Sequence, residues 1–127
     1  MKKQAIWPRK GPKPVGPYSP AVIFEDLVFV SGQGPMDPTT GEMAKSDIVE
    51  EFRLAVRNVR AVLEEAGSSL ENVLKVTLYL ADMGDFSSVN EVYEEYFGPT
   101  FPARTTIQAA RLPKDIKVEI DVIAYKE

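Results

Sequence analysis

Two side chains in the last quarter of the chain offer the clearest chemistry. Arg104 follows Phe101-Pro102-Ala103, where a turn enters a strand-like stretch, and Glu119 lies in the alternating run 116–125. An arginine at a strand mouth presents a planar fork that binds a carboxylate at two points. A glutamate beside it in a cleft can hold and polarise a water molecule. The two strands are expected to be antiparallel neighbours. An ordinary cross-strand ion pair explains the same pattern, and pattern alone favours it. Tyr18, within Gly16-Pro17-Tyr18-Ser19-Pro20, either closes over a pocket with its hydroxyl or anchors the segment to the domain. Phe86 and Asn90, one helical turn apart, suit a pocket wall and its rim, although the spacing of Phe86 equally suits plain core. Tyr93 and Tyr96 belong to the same apolar stripe and carry no separate signal.

The composition removes most other chemistry. The chain has no cysteine and no histidine, which excludes disulfides, thiolate or imidazole metal sites and Ser-His or Cys-His nucleophile pairs. No spaced acidic cluster resembles a magnesium site, so no metal is expected. Gly32-Gln33-Gly34 lacks the third glycine and the helix start of a phosphate loop and reads as a turn. Residues 1–13 carry Lys2, Lys3, Arg9, Lys10 and Lys13 without an acid, a local +5, which leaves −9 on the other 114 residues of a chain whose net charge is −4. So acidic a body repels phosphate backbones, and a nucleic-acid groove is not expected. No apolar run approaches the ~20 residues that span a bilayer, and the chain reads as soluble and cytoplasmic.

The elements that must position these residues follow from periodicity. Prolines 8, 12, 14, 17 and 20 make residues 8–20 an extended arm. Residues 21–24 and 27–31 form a hairpin around Glu25-Asp26, and 32–40 form a loop. Ile48, Phe52, Ala55, Val56, Val59, Val62, Leu63 and Ala66 make one apolar stripe and predict a helix over 47–66, capped by Asp47 with Glu50 and stopped by Gly67. Strands are expected over 73–80, 103–109 and 116–125, with a second helix over 85–97. The 127 residues fit a basic N-terminal arm, 1–13, and one domain, 14–127.

The expected order is β-β-α-β-α-β-β, an α/β (α+β) single mixed sheet with two helices on one face. The last strand then turns Lys117, Glu119, Asp121, Ile123 and Tyr125 toward the uncovered face. Burying that half-polar, aromatic-bearing surface against copies of the same chain predicts a homo-oligomer with sites at subunit borders.

Four segments resemble the Rid/YjgF (L-PSP) family, in particular its RidA-type enamine/imine deaminases: VGPYSPA at 15–21, FVSGQGPMDPTTGE at 29–42, DFSSVNEVYEEYF at 85–97 and FPARTTIQAARLPKDIKVEIDVIA at 101–124. The resemblance implies a chorismate-mutase-like fold, a homotrimer with three clefts between subunits, and no cofactor. It implies hydrolysis of 2-iminobutanoate and 2-iminopropanoate, released by pyridoxal-phosphate dehydratases, to 2-oxo acids and ammonia. Arg104 matches the arginine that grips the substrate carboxylate, and Glu119 the acid that positions the attacking water. Tyr18, Gly32, Phe86 and Asn90 match pocket positions, and Thr106 stands where cysteine is common and the main chain helps bind the carboxylate. Gly34 and Met36 replace bulkier or different aliphatic residues, implying a wider or reshaped pocket. Two other readings compete: an RNA-acting translation inhibitor or endoribonuclease, as some family members are described, and a non-catalytic binding or chaperone-like trimer that recognises small carboxylates or exposed apolar segments.

Overall fold

The computed structural model describes residues 2–9 and 14–127; Met1 and residues 10–13, including Lys10, Pro12 and Lys13 of the expected arm, lie outside the described set. The elements are β1 (Gln4–Ile6), β2 (Ala21–Phe24), β3 (Leu27–Gln33), α1 (Ile48–Glu65), β4 (Val73–Leu80), α2 (Phe86–Phe97), β5 (Ala103–Gln108) and β6 (Val118–Tyr125). They form one mixed sheet in the order β1-β2-β3-β6-β4-β5, with β4 and β5 as its parallel pair. The α+β class and the two-helix layer agree with the expectation.

α1 begins at the expected cap, where the Asp47 carboxylate accepts from the Glu50 amide at 2.9 Å. No return bond to the Asp47 amide closes a capping box among the described residues; Glu51 instead accepts from the amide of Ser46, one residue before the cap. Glu51 is buried and also accepts from the Lys117 amide and ammonium, tying the helix start to the approach of β6. At the other end Gly67 adopts φ +84°, a left-handed conformation that stops the helix cheaply only in glycine.

The core lies between the helices and one sheet face. Phe52, Val56, Val59 and Leu63 of α1 and Val89, Val92 and Phe97 of α2 pack on Val28, Val76, Leu78, Leu80, Val118 and Ile120. Full burial of each large apolar side chain contributes roughly 1.5–3 kcal/mol. The opposite face is uncovered and leaves Phe24, Leu27, Phe29, Ile107 and Tyr125 exposed.

Three sequence expectations need correction. β3 runs on through Gly32 and Gln33, where a loop was expected to begin, because Gln33 still pairs with Ile120 of β6. The expected order lacked β1: Gln4–Ile6 pairs antiparallel with Ala21–Ile23 and extends the sheet by one edge strand. More consequentially, β5 and β6 are not neighbours. β4 lies between them, parallel to β5 and antiparallel to β6. Burial explains the placement. β6 buries every second side chain and belongs inside the sheet, whereas β5 (ARTTIQ) buries none fully and suits an edge.

Candidate active site

The register decides where the two charged residues point. Arg104 pairs with Val76, and Val76 with Val122, so Arg104 lies on the helix-covered face. Glu119 pairs with Tyr79, and Tyr79 with Ile107, so Glu119 lies on the open face. The expected cross-strand contact between Arg104 and Glu119 is therefore absent within the chain: residues in register share a face of the pleat, and these two occupy opposite ones. The seven expected site residues divide accordingly into two half-sites.

The first half-site gathers Arg104, Phe86, Asn90 and Thr106. α2 lies over β5, so the Arg104 guanidinium carbon sits 5.5 Å from the Phe86 ring centre and 4.6 Å from that of Tyr93. Contacts of this kind are worth about 0.5–2 kcal/mol, depending on desolvation, and orient the guanidinium fork without neutralising it. Among the described residues no carboxylate lies within ion-pair distance of Arg104. Phe86 is 37% exposed, so it serves as a wall over Arg104 and not as core. Arg104, Asn90, Tyr93, Glu94, Phe101 and Pro102 line an open groove of about 370 Å³. Three buried polar atoms in this region have no hydrogen-bond partner among the described residues: Asn90 Oδ1, Tyr93 OH and Thr106 Oγ1.

The second half-site holds Glu119, Gly32 and Tyr18. The ladder between β3 and β6 is interrupted between Val30 and Gln33, and the irregularity carries Gly32 under the Glu119 side chain. A Cβ on Gly32 would lie 2.8 Å from the Glu119 carboxyl carbon, a closer approach than real contacts allow, so position 32 must be glycine if Glu119 is to stay. Ser31 ties in the arm: its hydroxyl donates to the Ser19 carbonyl at 2.6 Å and its amide to that of Pro20. Tyr18 is thereby brought to a cavity of about 110 Å³ that it lines with Gly32, Glu119, Met36, Met43, Ile116 and Lys114. Asn58 supports the far wall, donating from its buried amide to the Gly34 and Met36 carbonyls at 3.0 and 2.8 Å. Burial, with Asp121 adding repulsion, pushes the Glu119 carboxyl above its ordinary value and makes the carboxylate a stronger base. Beside it the Tyr79 hydroxyl donates to Asp121 at 2.8 Å, and its own pKa is pushed up to about 12, chiefly by that bond.

Arg104 thus lies in an aromatic groove on one face, and the Glu119 carboxylate lies above a glycine on the other. The chain matches the family described as Endoribonuclease L-PSP over residues 8–126. It belongs to that family. It is 52% identical over 127 residues to a RutC family protein of Pyrococcus abyssi, covering all of both chains. It is 44% identical over 124 residues to a 2-iminobutanoate/2-iminopropanoate deaminase of Capra hircus, covering 98% of this chain and 90% of the relative. Among solved structures, E. coli TdcF with bound serine superimposes with a TM-score of 0.92 at 39% identity, over 98% of this chain and 99% of that one. The family includes imine deaminases.

Sequence reasoning missed several residues that line these cavities, Tyr93, Met43 and Lys114 among them. Tyr93 is indistinguishable from core by spacing alone. Met43 and Lys114 come from loops whose return to the cavity has no local signature. Among the described residues no group of acidic side chains could hold a metal ion, and no helix is long and apolar enough to cross a membrane.

Proposed function

We propose that the protein is an enamine/imine deaminase that hydrolyses 2-imino acids such as 2-iminobutanoate and 2-iminopropanoate to 2-oxo acids and ammonia, removing reactive products of pyridoxal-phosphate dehydratases in the cytoplasm. The observation that carries the reading is the division of the site. Arg104 and Glu119 lie on opposite faces of one sheet, so they meet only if the Arg104 groove of one protomer abuts the Glu119 cavity of another. The exposed apolar face provides the surface for that association, and a homotrimer gives three such clefts.

In the mechanism the Arg104 fork binds the substrate carboxylate at two points and fixes the imine carbon near Glu119. The Glu119 carboxylate takes a proton from water as the water oxygen bonds to that carbon, giving a carbinolamine. It then returns the proton to nitrogen, the C–N bond breaks, and the hydroxyl proton passes to Glu119 as the carbonyl forms; ammonia leaves and carries that proton away as ammonium. The protonated imine is already electrophilic, which suits a site built from an arginine, a carboxylate and hydroxyls. Tyr18 and the methionine-lined wall enclose the reacting atoms and the substrate side chain.

A coupled assay tests the reading directly: threonine dehydratase or an amino-acid oxidase generates the imine, and its disappearance is followed with and without the protein. Acceleration supports the proposal. An ordered carboxylate at Arg104 without turnover of any imino acid would instead favour a carboxylate-binding trimer.

A further inference from the structure

Tyr93 has a buried hydroxyl that the fold does not use. The residue is 5% exposed, its ring stacks with Phe97 at 4.5 Å and with Phe52 at 6.4 Å, and its edge reaches the groove that holds Arg104. Stacking alone would be served as well by phenylalanine. A buried hydroxyl without a partner is destabilising, so a tyrosine here is a liability to the isolated chain. The unpartnered Asn90 Oδ1 and Thr106 Oγ1 belong to the same neighbourhood, beside an arginine without a carboxylate. The Tyr93 and Thr106 hydroxyls and the Arg104 fork can all donate, so the partner they lack in common is an anion with several acceptor positions, seated on Arg104; the Asn90 Oδ1 only accepts and is no part of that grip.

We infer that the Tyr93 hydroxyl is a substrate-binding donor, completing with Arg104 a three-point grip on the carboxylate of the 2-imino acid. The inference rests on the proposed deaminase reading and assigns a further residue to its carboxylate subsite. A carboxylate has about four acceptor sites. A guanidinium fork occupies two of them, and a hydroxyl from the ring stacked under the fork reaches a third from the side. Burial pushes the Tyr93 pKa up to about 12 even though Arg104 pulls it down, so the hydroxyl keeps its proton and donates throughout the working pH range. The same donor discriminates among ligands. A carboxylate offers acceptor positions on two oxygens to the Arg104 fork and the hydroxyl, whereas an uncharged amide offers a single acceptor oxygen.

The test is Tyr93→Phe, which removes one oxygen and keeps the ring. Two measurements are made on wild type and variant: the coupled imine assay, and calorimetric binding of 2-oxobutanoate, which needs no turnover. A hydrogen bond to a charged group is worth about 1.5–3 kcal/mol, so KM and the 2-oxobutanoate Kd are expected to rise roughly 10- to 100-fold, with the loss falling on KM more than on kcat. The melting temperature of the ligand-free protein is expected to hold or rise, because the variant no longer buries a polar group without a partner. Unchanged KM and Kd in the variant, beside a wild type that turns over imine and binds 2-oxobutanoate, overturn this inference and leave the deaminase reading standing. A wild type that binds 2-oxobutanoate without imine turnover overturns the deaminase reading, while Tyr93 is still judged by Kd. A wild type that binds no 2-oxobutanoate overturns both.

Discussion

Replacing Gly32 with alanine isolates the position of the Glu119 carboxylate from every other feature of the site. Gly32 does not adopt a left-handed φ, so the backbone accepts alanine without strain, and a shorter list of unfolded conformations favours the variant by about 0.4–1 kcal/mol. Against this stands the new methyl group, 2.8 Å from the Glu119 carboxyl carbon and 3.1 Å from its Cγ. Both atoms belong to a flexible side chain, so Glu119 swings away and the sheet does not need to open. Overpacking costs about 1–3 kcal/mol where nothing yields, and here most of that is relieved by rotation. The expected change in stability is therefore within about 1 kcal/mol of zero. Activity responds differently, because displacing a catalytic group by about 1 Å can cost on the order of 100-fold. The assay is kcat/KM on 2-iminobutanoate, with thermal melts alongside, in wild-type and Glu119→Ala backgrounds. Gly32→Ala is expected to lower kcat/KM about 100-fold in the first background and to have almost no effect in the second, where there is no carboxylate left to displace. Equal losses in both backgrounds would refute the reasoning, since Gly32 would then act without Glu119.

Two further outcomes follow from the electrostatics. Arg104→Ala removes a desolvated bidentate contact worth on the order of 2–4 kcal/mol, so kcat/KM is expected to fall roughly 30- to 1000-fold while the melting temperature changes little; near-native turnover by that variant would contradict the role given to Arg104. Glu119→Gln is expected to stabilise the protein at neutral pH, because the folded state raises the Glu119 pKa and so disfavours its charged form. Folded chains take up the proton before unfolded ones as pH falls, so the wild type recovers the difference below the raised pKa. Melts of the two proteins should therefore converge toward acid, and a gap that widens there would show the sign to be wrong.

What the sequence revealed and what it withheld differ by the range of the interactions involved. Both helices were legible because Phe52, Val56, Val59 and Leu63 recur at helical spacing, and Asp47 caps its helix with a local bond. The alternation of Val118, Ile120 and Val122 likewise exposed the two faces of β6. The insertion of β6 between β3 and β4 was not legible, because pairing across the sheet is set by competition for burial and leaves no mark on neighbouring residues. That unseen step put Arg104 and Glu119 on neighbouring strands in the sequence reading; in the structure β4 separates them, and their registers on β4 place them on opposite faces. β1 escaped for a related reason: Gln4–Ile6 is too short and polar to signal a strand until β2 offers its edge. Gly32 shows the reverse case, where resemblance identified the residue and only the coordinates supplied its cause.

The central claim, that each cleft takes its arginine from one protomer and its glutamate from another, is tested most directly by complementation. Arg104→Ala and Glu119→Gln chains carrying different tags are co-expressed, and assemblies containing both are isolated through the two tags in turn. In a closed ring of three, either mixed composition leaves one cleft in three with an intact arginine facing an intact glutamate. The account predicts that mixed assemblies recover about a third of wild-type imine hydrolysis from two parents that are each nearly inactive. Mixed assemblies as inactive as their parents would contradict it.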